Sequence, residues 1–178
     1  MRAFLFVPLL ALAGCGDGGA PAQNDAPVEV ARIAAGSWTL ESNVTQFTKT
    51  DNGTPAIDTP VGTHATETVC VGPDDTPPPA LFGGAGNDCH GDSLYARNGR
   101  LSVQMICRRE GLSGNVLIGA NGSFTADTIE YDRDLRTQLV GDGDVAMTVH
   151  VTGRRTGECA PDSGAAGNAS TAAGNHAG

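Results

Sequence analysis

Aromatic and basic side chains are both scarce in this chain of 178 residues. Only 4% of the residues are aromatic, and 11 Lys and Arg stand against 20 Asp and Glu, which gives a formal net charge of −9. A surface that neutralises phosphates needs an excess of cations, so this composition excludes a nucleic-acid partner. Glycine is abundant instead. It accounts for 25 of the 178 residues, which is about twice the usual share of about 7%. Turns and strands are therefore expected rather than long helices.

Long apolar runs are also missing. The most apolar segment, residues 4–13, is far shorter than the roughly 20 residues that cross a bilayer as a helix, but it has the length of the apolar part of an export signal. It runs into Leu12-Ala13-Gly14-Cys15, which resembles the bacterial lipobox, where cleavage precedes a diacylated cysteine. The resemblance predicts a lipoprotein signal peptide over residues 1–14 and lipidation of Cys15. An ordinary secretory signal with an incidental cysteine is the alternative.

The composition divides the chain into four parts. The signal peptide is followed by residues 15–35, the lipidated cysteine and a flexible tether, because residues 16–27 contain no large apolar side chain. Residues 36–159 form the folded domain, and residues 160–178 read as a disordered tail. Acyl chains contribute roughly 0.8 kcal/mol per buried CH2, so two or three of them on Cys15 anchor the chain stably. By resemblance to bacterial lipoproteins, Gly16 directly after the cysteine favours sorting to the outer membrane of a Gram-negative envelope, with the domain facing the periplasm.

Apolar and polar residues alternate through residues 36–159, as they do in strands with one buried face. The predicted inward residues are Trp38, Leu40, Val44, Leu101, Val103, Met105, Cys107, Ile129, Tyr131, Leu135, Leu139, Val145, Met147, Val149 and Val151. Arg133 and Thr137 interrupt the apolar side of one strand. The pattern predicts an all-β domain, an antiparallel meander forming a curved sheet or a partly open barrel.

Three short segments that end in glycine separate these strands. They are residues 97–99, 120–122 and 141–143. Each suits a three-residue hairpin loop with glycine in the left-handed region. Such loops place Ile118 opposite Phe124 and Leu139 opposite Val145, whereas two-residue loops would oppose apolar to polar residues. We therefore predict three-residue loops at all three positions.

Four cysteines remain if Cys15 is lipidated, and an even number in an exported chain predicts two disulfides. The first predicted loop places Cys89 directly opposite Cys107, which leaves Cys70 for Cys159. A small core with few aromatic residues needs such bonds. A metal site is the competing interpretation, but no Cys-x-x-Cys pair is present and the histidines are scattered. We predict no metal and no cofactor.

A series of short motifs covers residues 36–159. They are Gly36-x-Trp38, Val69-Cys70-Val71-x-Pro73, Asp88-Cys89, Met105-x-Cys107, Phe124-Thr125-Ala126-Asp127 and Val151-Thr152-Gly153-Arg154-Arg155-x-Gly157-x-Cys159. Together they resemble the bacterial exported proteins known as domain of unknown function 3617. The proline that often precedes the Gly-x-Trp opening is absent, and Pro77-Pro78-Pro79 lengthens a loop. The resemblance implies a periplasmic all-β domain with no established activity.

Catalytic signals are weak in this sequence. No Gly-x-Ser-x-Gly elbow is present, and paired carboxylates need unlike environments to act as acid and base. The pairs are Asp74-Asp75, Asp132 with Asp134, and Asp142 with Asp144. They fall in a loop, on a solvated strand face and in a turn. Arg154 and Arg155 point to opposite faces of the last strand, so one is expected at the edge of the sheet or paired with an acid.

These patterns favour a non-enzymatic binding or structural module of the envelope. The expected partners are the membrane, through the acyl chains on Cys15, and a small apolar ligand or an envelope protein. We predict no catalytic residues. An enzyme with an active site dispersed over several strands is the alternative.

Overall fold

The computed structural model describes residues 32–74 and 76–160. The predicted signal peptide, Cys15, most of the tether and nearly all of the predicted tail lie outside these residues. The described part contains seven strands and one short helix. They are β1 Gly36–Lys49, β2 His64–Val71, α1 Ala80–Gly83, β3 Asn87–Arg97, β4 Arg100–Arg109, β5 Gly114–Phe124, β6 Thr128–Leu139 and β7 Val145–Gly157.

All seven strands belong to one antiparallel sheet with the order β2-β1-β7-β6-β5-β4-β3. Strands β3 to β7 follow one another as a meander, and β1 then pairs with β7, so the first and last of the described strands lie side by side. The sheet is open between β2 and β3, which makes it a curled half-barrel. The predicted all-β fold, a partly open curved sheet with two disulfides, is confirmed.

The buried face follows the alternation in the sequence. In β6, Ile129, Tyr131, Arg133, Leu135 and Thr137 are all buried, and the residues between them are exposed. Strand β4 shows the same regular pattern. Inward side chains form rows across the sheet, because each strand's inward residue pairs with an inward residue of its neighbour. The concave side of the half-barrel is therefore its hydrophobic core.

The loop between β3 and β4 differs from its prediction. It contains two residues, Asn98 and Gly99, with φ of 53° and 72°, which is the conformation of a type I′ turn. This turn matches the right-handed twist of the flanking strands. The register then shifts between Gly91 and Ser93, where a bulge leaves one residue of β3 without a partner. The bulge restores the predicted pairing of Cys89 with Cys107, although the three-residue loop was wrong.

The prediction of a loop at residues 120–122 was also wrong. Strand β5 runs straight through these residues, and Ile118 pairs with Leu135 while Phe124 pairs with Ile129. Gly122 is needed for another reason. A Cβ atom at this position would lie 2.6 Å from the Cα of Tyr131, so the glycine permits close approach of β6. The actual turn into β6 begins at Thr125, whose Oγ1 accepts hydrogen bonds from two following backbone amides.

The loop between β6 and β7 is longer than the predicted residues 141–143. It spans residues 140–144, and Val145 lies beside Thr137 rather than Leu139, with its amide donating to Thr137 Oγ1 at 2.8 Å. The Asp144 carboxylate accepts hydrogen bonds from the Leu139 amide and the Thr137 hydroxyl, at 2.8 and 3.0 Å. These side-chain bonds hold the wider loop, so the register is shifted by two residues and the inward face is unchanged.

The type I′ turn gives a test of the β3–β4 register. Gly99→Val is expected to lower the free energy of unfolding by roughly 1 to 2 kcal/mol, because a β-branched residue resists positive φ. Gly119→Val is the matched control, since Gly119 lies in β5 without positive φ and a Cβ atom there would make only an ordinary van der Waals contact, 3.9 Å from the Val103 carbonyl oxygen. Urea denaturation measures both. Equal midpoints for the two variants would contradict the turn.

Candidate functional site

The concave face of the sheet is covered by the chain itself. The connection between β2 and β3 turns inward and carries α1, in which Leu81 and Phe82 are both 0% exposed. Residues 77–86 are called the plug below. Helix α1 contacts β2, β3 and β4, so the plug lies over the gap where the two edges of the half-barrel fail to meet.

Proline and glycine shape the plug. The carbonyl of Pro78 accepts a hydrogen bond from the Leu81 amide, and that of Pro79 accepts from the Phe82 amide, both at 3.0 Å. Prolines have φ preset for the first turn of a helix, where no amide donor is needed. Gly84 ends the turn with φ of 74°, which glycine adopts without steric cost. The sequence therefore specifies one helical turn and no more.

Two polar side chains of β6 form hydrogen bonds with the plug. Tyr131 Oη donates to the carbonyl oxygen of Leu81 at 2.7 Å, and Arg133 Nη1 donates to that of Phe82 at 3.4 Å. The Tyr131 ring also packs edge-on against Phe82, with 5.7 Å between ring centroids. Carbonyls at the end of a helix lack helical partners, and these two side chains supply them. Tyr131 and Arg133 thus join the plug to the centre of the sheet.

Arg133 is the most unusual group of the core. It is 7% exposed, and among the described residues no carboxylate forms an ion pair with it within 4.0 Å. Its guanidinium lies against Gly84, where any Cβ atom would overlap Nη1. A buried cation is costly unless it is paired and hydrogen-bonded. Among the described residues, Arg133 has instead one long hydrogen bond, to the neutral carbonyl of Phe82.

Burial also changes the chemistry of Tyr131. Removal from water raises the pKa of the Tyr131 phenol far above its usual value, the nearby charge of Arg133 acts in the opposite direction, and the charge of Glu67 raises it further. Glu67 lies on the edge strand β2 and pairs with Leu40 of β1. Tyr131 is therefore a neutral hydrogen-bond donor throughout the physiological pH range.

The structure contains both predicted disulfides. Cys89 is joined to Cys107 with Cα atoms 4.0 Å apart, and Cys70 to Cys159 with Cα atoms 5.5 Å apart. The first bond lies beside the plug, because a Cβ atom on Gly83 would be 2.7 Å from Cys89 Sγ. The second joins the edge strand β2 to the segment that follows β7. The predicted lipidation site, Cys15, lies outside the described residues.

The paired carboxylates that the structure describes in full lie on the convex face and in the β6–β7 loop, whereas Asp75, the partner of Asp74, lies outside the described residues. Asp132 Oδ1 lies 2.9 Å from His150 Nδ1, and Asp134 accepts a hydrogen bond from Thr148 at 2.8 Å. Glu130 lies 3.5 Å from the other ring nitrogen of His150. This cross-strand cluster was not predicted from the sequence. No three His, Cys, Asp or Glu side chains in residues 32–74 and 76–160 form a group that could hold a metal ion.

The two neighbouring arginines of β7 differ as predicted. Arg154 is exposed, while Arg155 forms an ion pair with Glu158 at 2.6 Å and donates to the carbonyl of Ala35 at 2.6 Å. The pairing of one arginine with an acid is confirmed. Arg155 thereby ties the end of β7 to the residues before β1.

The role of Tyr131 and Arg133 was not predicted from the sequence. One signal was present, since Arg133 occupies an inward position of a strand whose other inward residues are mostly apolar. Buried polar groups are almost always hydrogen-bonded, so an inward arginine predicts a polar partner on the concave side. The identity of that partner could not be read from the sequence.

The fold and site define a class of protein: a disulfide-linked all-β half-barrel whose concave face is filled by its own β2–β3 connection. Residues 33–159 match the family described as protein of unknown function DUF3617, and the chain belongs to that family. This confirms the resemblance carried by the sequence motifs. Comparisons with curated proteins and with solved structures gave no match. Within the described residues, no helix is long and apolar enough to span a membrane.

The raised pKa of Tyr131 can be tested by titration. The folded state holds the phenol proton more tightly than the unfolded state, so the resulting stability is present below the unfolded pKa of about 10 and is lost as pH rises through the folded pKa. In a Tyr95→Phe variant, Tyr131 is the only tyrosine left. We expect no phenolate absorbance near 295 nm from this variant until alkaline unfolding. Ionisation before unfolding would contradict the buried hydrogen bond to Leu81.

Proposed function

We propose that the chain is a lipid-anchored periplasmic domain that serves as a non-enzymatic binding or structural module of a Gram-negative envelope. The observation that carries this proposal is the filled concave face. The two buried polar groups there, Tyr131 and Arg133, bind carbonyls of the plug, so neither is free to act on a substrate while the plug is in place. This arrangement supports a structural or binding role over catalysis.

The export and anchoring parts of the proposal rest on the cysteines. Two disulfides favour an oxidising compartment such as the periplasm. The fifth cysteine, Cys15, ends the lipobox-like sequence, and acyl chains on it would attach the domain to the outer membrane. The proposed partners are the membrane, through these acyl chains, and a small apolar ligand or an envelope protein.

Metabolic labelling tests the anchor directly. Cells that express the full chain are grown with radioactive palmitate, and the purified protein is examined for label. We expect label on the wild type and on a Cys70→Ser, Cys159→Ser control, and none on Cys15→Ser. The labelled protein should sediment with outer membranes and be degraded by protease only after the outer membrane is permeabilised. Label on Cys15→Ser, or a cytoplasmic location, would refute the proposal.

A further inference from the structure

We propose that the plug covers a binding site for a long-chain fatty acid. The acyl chain enters the concave face in place of Leu81 and Phe82, and its carboxylate takes the positions of their carbonyl oxygens beside Tyr131 and Arg133. This inference deepens the proposed binding role, on which it rests, by naming the class of ligand and the residues that bind it.

The two donors at the floor of the site suit a carboxylate. Tyr131 and Arg133 are two residues apart on β6, so both point inward, and they bind the oxygens of two successive peptide groups. A carboxylate offers two oxygens of its own. It is a much stronger acceptor for a guanidinium than a neutral carbonyl, and the present bond from Arg133 is 3.4 Å long, beyond the usual range of about 2.7 to 3.2 Å. Arg133 is the group that gains from the exchange.

The charge distribution fixes where the carboxylate lies. Glu67, on β2, is close enough to raise the pKa of Tyr131, and its negative charge repels an anion. Arg133 lies on β6, three strands from β2 in the sheet, and forms no ion pair among the described residues. The carboxylate is therefore expected beside Arg133, with the chain directed toward the open side of the half-barrel.

The walls of the site suit an alkyl chain. Helix α1 contacts β2, β3 and β4, and apart from the half-buried Glu67, Asn87 and Arg109 the inward side chains of these strands are apolar. The apolar ones include Val69, Val71, Leu94, Ala96, Leu101 and Val103. Leu81 and Phe82 now fill the space between them. A ligand with a flexible apolar tail can replace these two side chains without leaving a cavity.

In this proposal the plug leaves the core while the sheet stays intact. It contains one helical turn and no strand, and Gly84 and Gly86, both with positive φ, lie at its end. The Cys89–Cys107 bond fixes β3 to β4 immediately after it. A groove of about 230 Å³ lies between the segment that follows β2 and the edge strand β3, lined in part by Ile33, Asp74, Pro77 and Ala96, and we assign it as the entry path.

The test is a binding titration with 11-(dansylamino)undecanoic acid, a fluorescent fatty acid. The protein is the full chain carrying Cys15→Ser, so that its own acyl chains do not compete. We expect the dansyl emission to increase and shift to shorter wavelength, and palmitate to displace the probe. The methyl ester of the probe should bind at least tenfold more weakly, because it cannot form the ion pair with Arg133.

Three variants locate the site. Arg133→Met should reduce the affinity for the acid to that for the ester, while Arg136→Met, an exposed arginine on the other face of β6, should bind like the unsubstituted chain. Phe82→Ala should bind at least tenfold more tightly, because less of the plug must be displaced. If Arg133→Met does not fold, the comparison of acid with ester on the chain that carries only Cys15→Ser decides the question.

Several results would overturn the proposal. They are equal affinity for acid and ester, a loss of affinity in Arg136→Met as large as in Arg133→Met, or no binding of the probe either by the chain that carries only Cys15→Ser or by Phe82→Ala. These outcomes are independent of palmitate labelling at Cys15. A chain that is labelled but does not bind the probe would retain the proposed anchor and lose the fatty-acid site.

Discussion

Replacing Cys70 and Cys159 together by serine is expected to lower the free energy of unfolding by about 4 to 5 kcal/mol. The bond joins residues separated by 89 positions, and loop-closure entropy predicts a loss of this size for so long a segment. A domain of this size has a total stability of about 5 to 15 kcal/mol. The variant should therefore unfold at a much lower urea concentration, measured by circular dichroism under oxidising conditions.

The single variant Cys159→Ser controls for the side-chain change. It should lose nearly as much stability as the double variant, because either substitution removes the bond. In the same assay, the pair Cys89→Ala and Cys107→Ala should cost about 3 kcal/mol from chain entropy, since only 18 positions separate these residues. A loss below about 1 kcal/mol in the Cys70 and Cys159 double variant would show that this bond does not constrain the unfolded chain.

Phe82→Ala is expected to cost about 3 to 5 kcal/mol, the usual range for removing a buried aromatic ring. The Phe82 side chain is fully buried and its ring packs on Tyr131, so truncation leaves a cavity at the centre of the concave face. Urea denaturation with the disulfides intact gives the difference. The fold should survive, because the sheet and both disulfides do not depend on this ring.

Phe47→Ala is the matched control for this prediction. Phe47 lies on β1 and is only partly buried against the core, so its truncation removes the same ring from a less enclosed position. We expect a clearly smaller loss of stability than for Phe82→Ala. Equal losses would mean that the plug is not packed into the core as described.

The strand faces could be predicted from the sequence, but the register could not. Alternation depends only on which face is buried, and it correctly identified the inward residues of β4 and β6. The same dipeptide, however, has two structural roles in this chain. Asn98-Gly99 forms a tight turn, whereas Asn121-Gly122 lies within β5, where Gly122 allows β6 to approach. Nothing local distinguishes them, because the close approach depends on a residue of another strand.

The disulfides were predicted correctly despite an error in the loop beside them. The turn is one residue shorter than predicted, and the bulge between Gly91 and Ser93 compensates for it. The plug was beyond prediction for a different reason. Its principal hydrogen bond, from Tyr131 to Leu81, joins residues 50 positions apart, and the intervening sequence contains no pattern that specifies the pair. Only the inward position of Arg133 indicated that a polar partner would lie on the concave side.

The central claim is that the β2–β3 connection fills the concave face and is bound there by Tyr131 and Arg133. Nuclear Overhauser measurements on the aromatic protons test it most directly, because the chain has only five Phe and two Tyr. With ring centroids 5.7 Å apart, Phe82 and Tyr131 should give strong mutual cross-peaks that disappear in Phe82→Leu. Absence of these cross-peaks in the folded, disulfide-bonded protein, with a Phe82 ring signal typical of solvent exposure, would contradict the account.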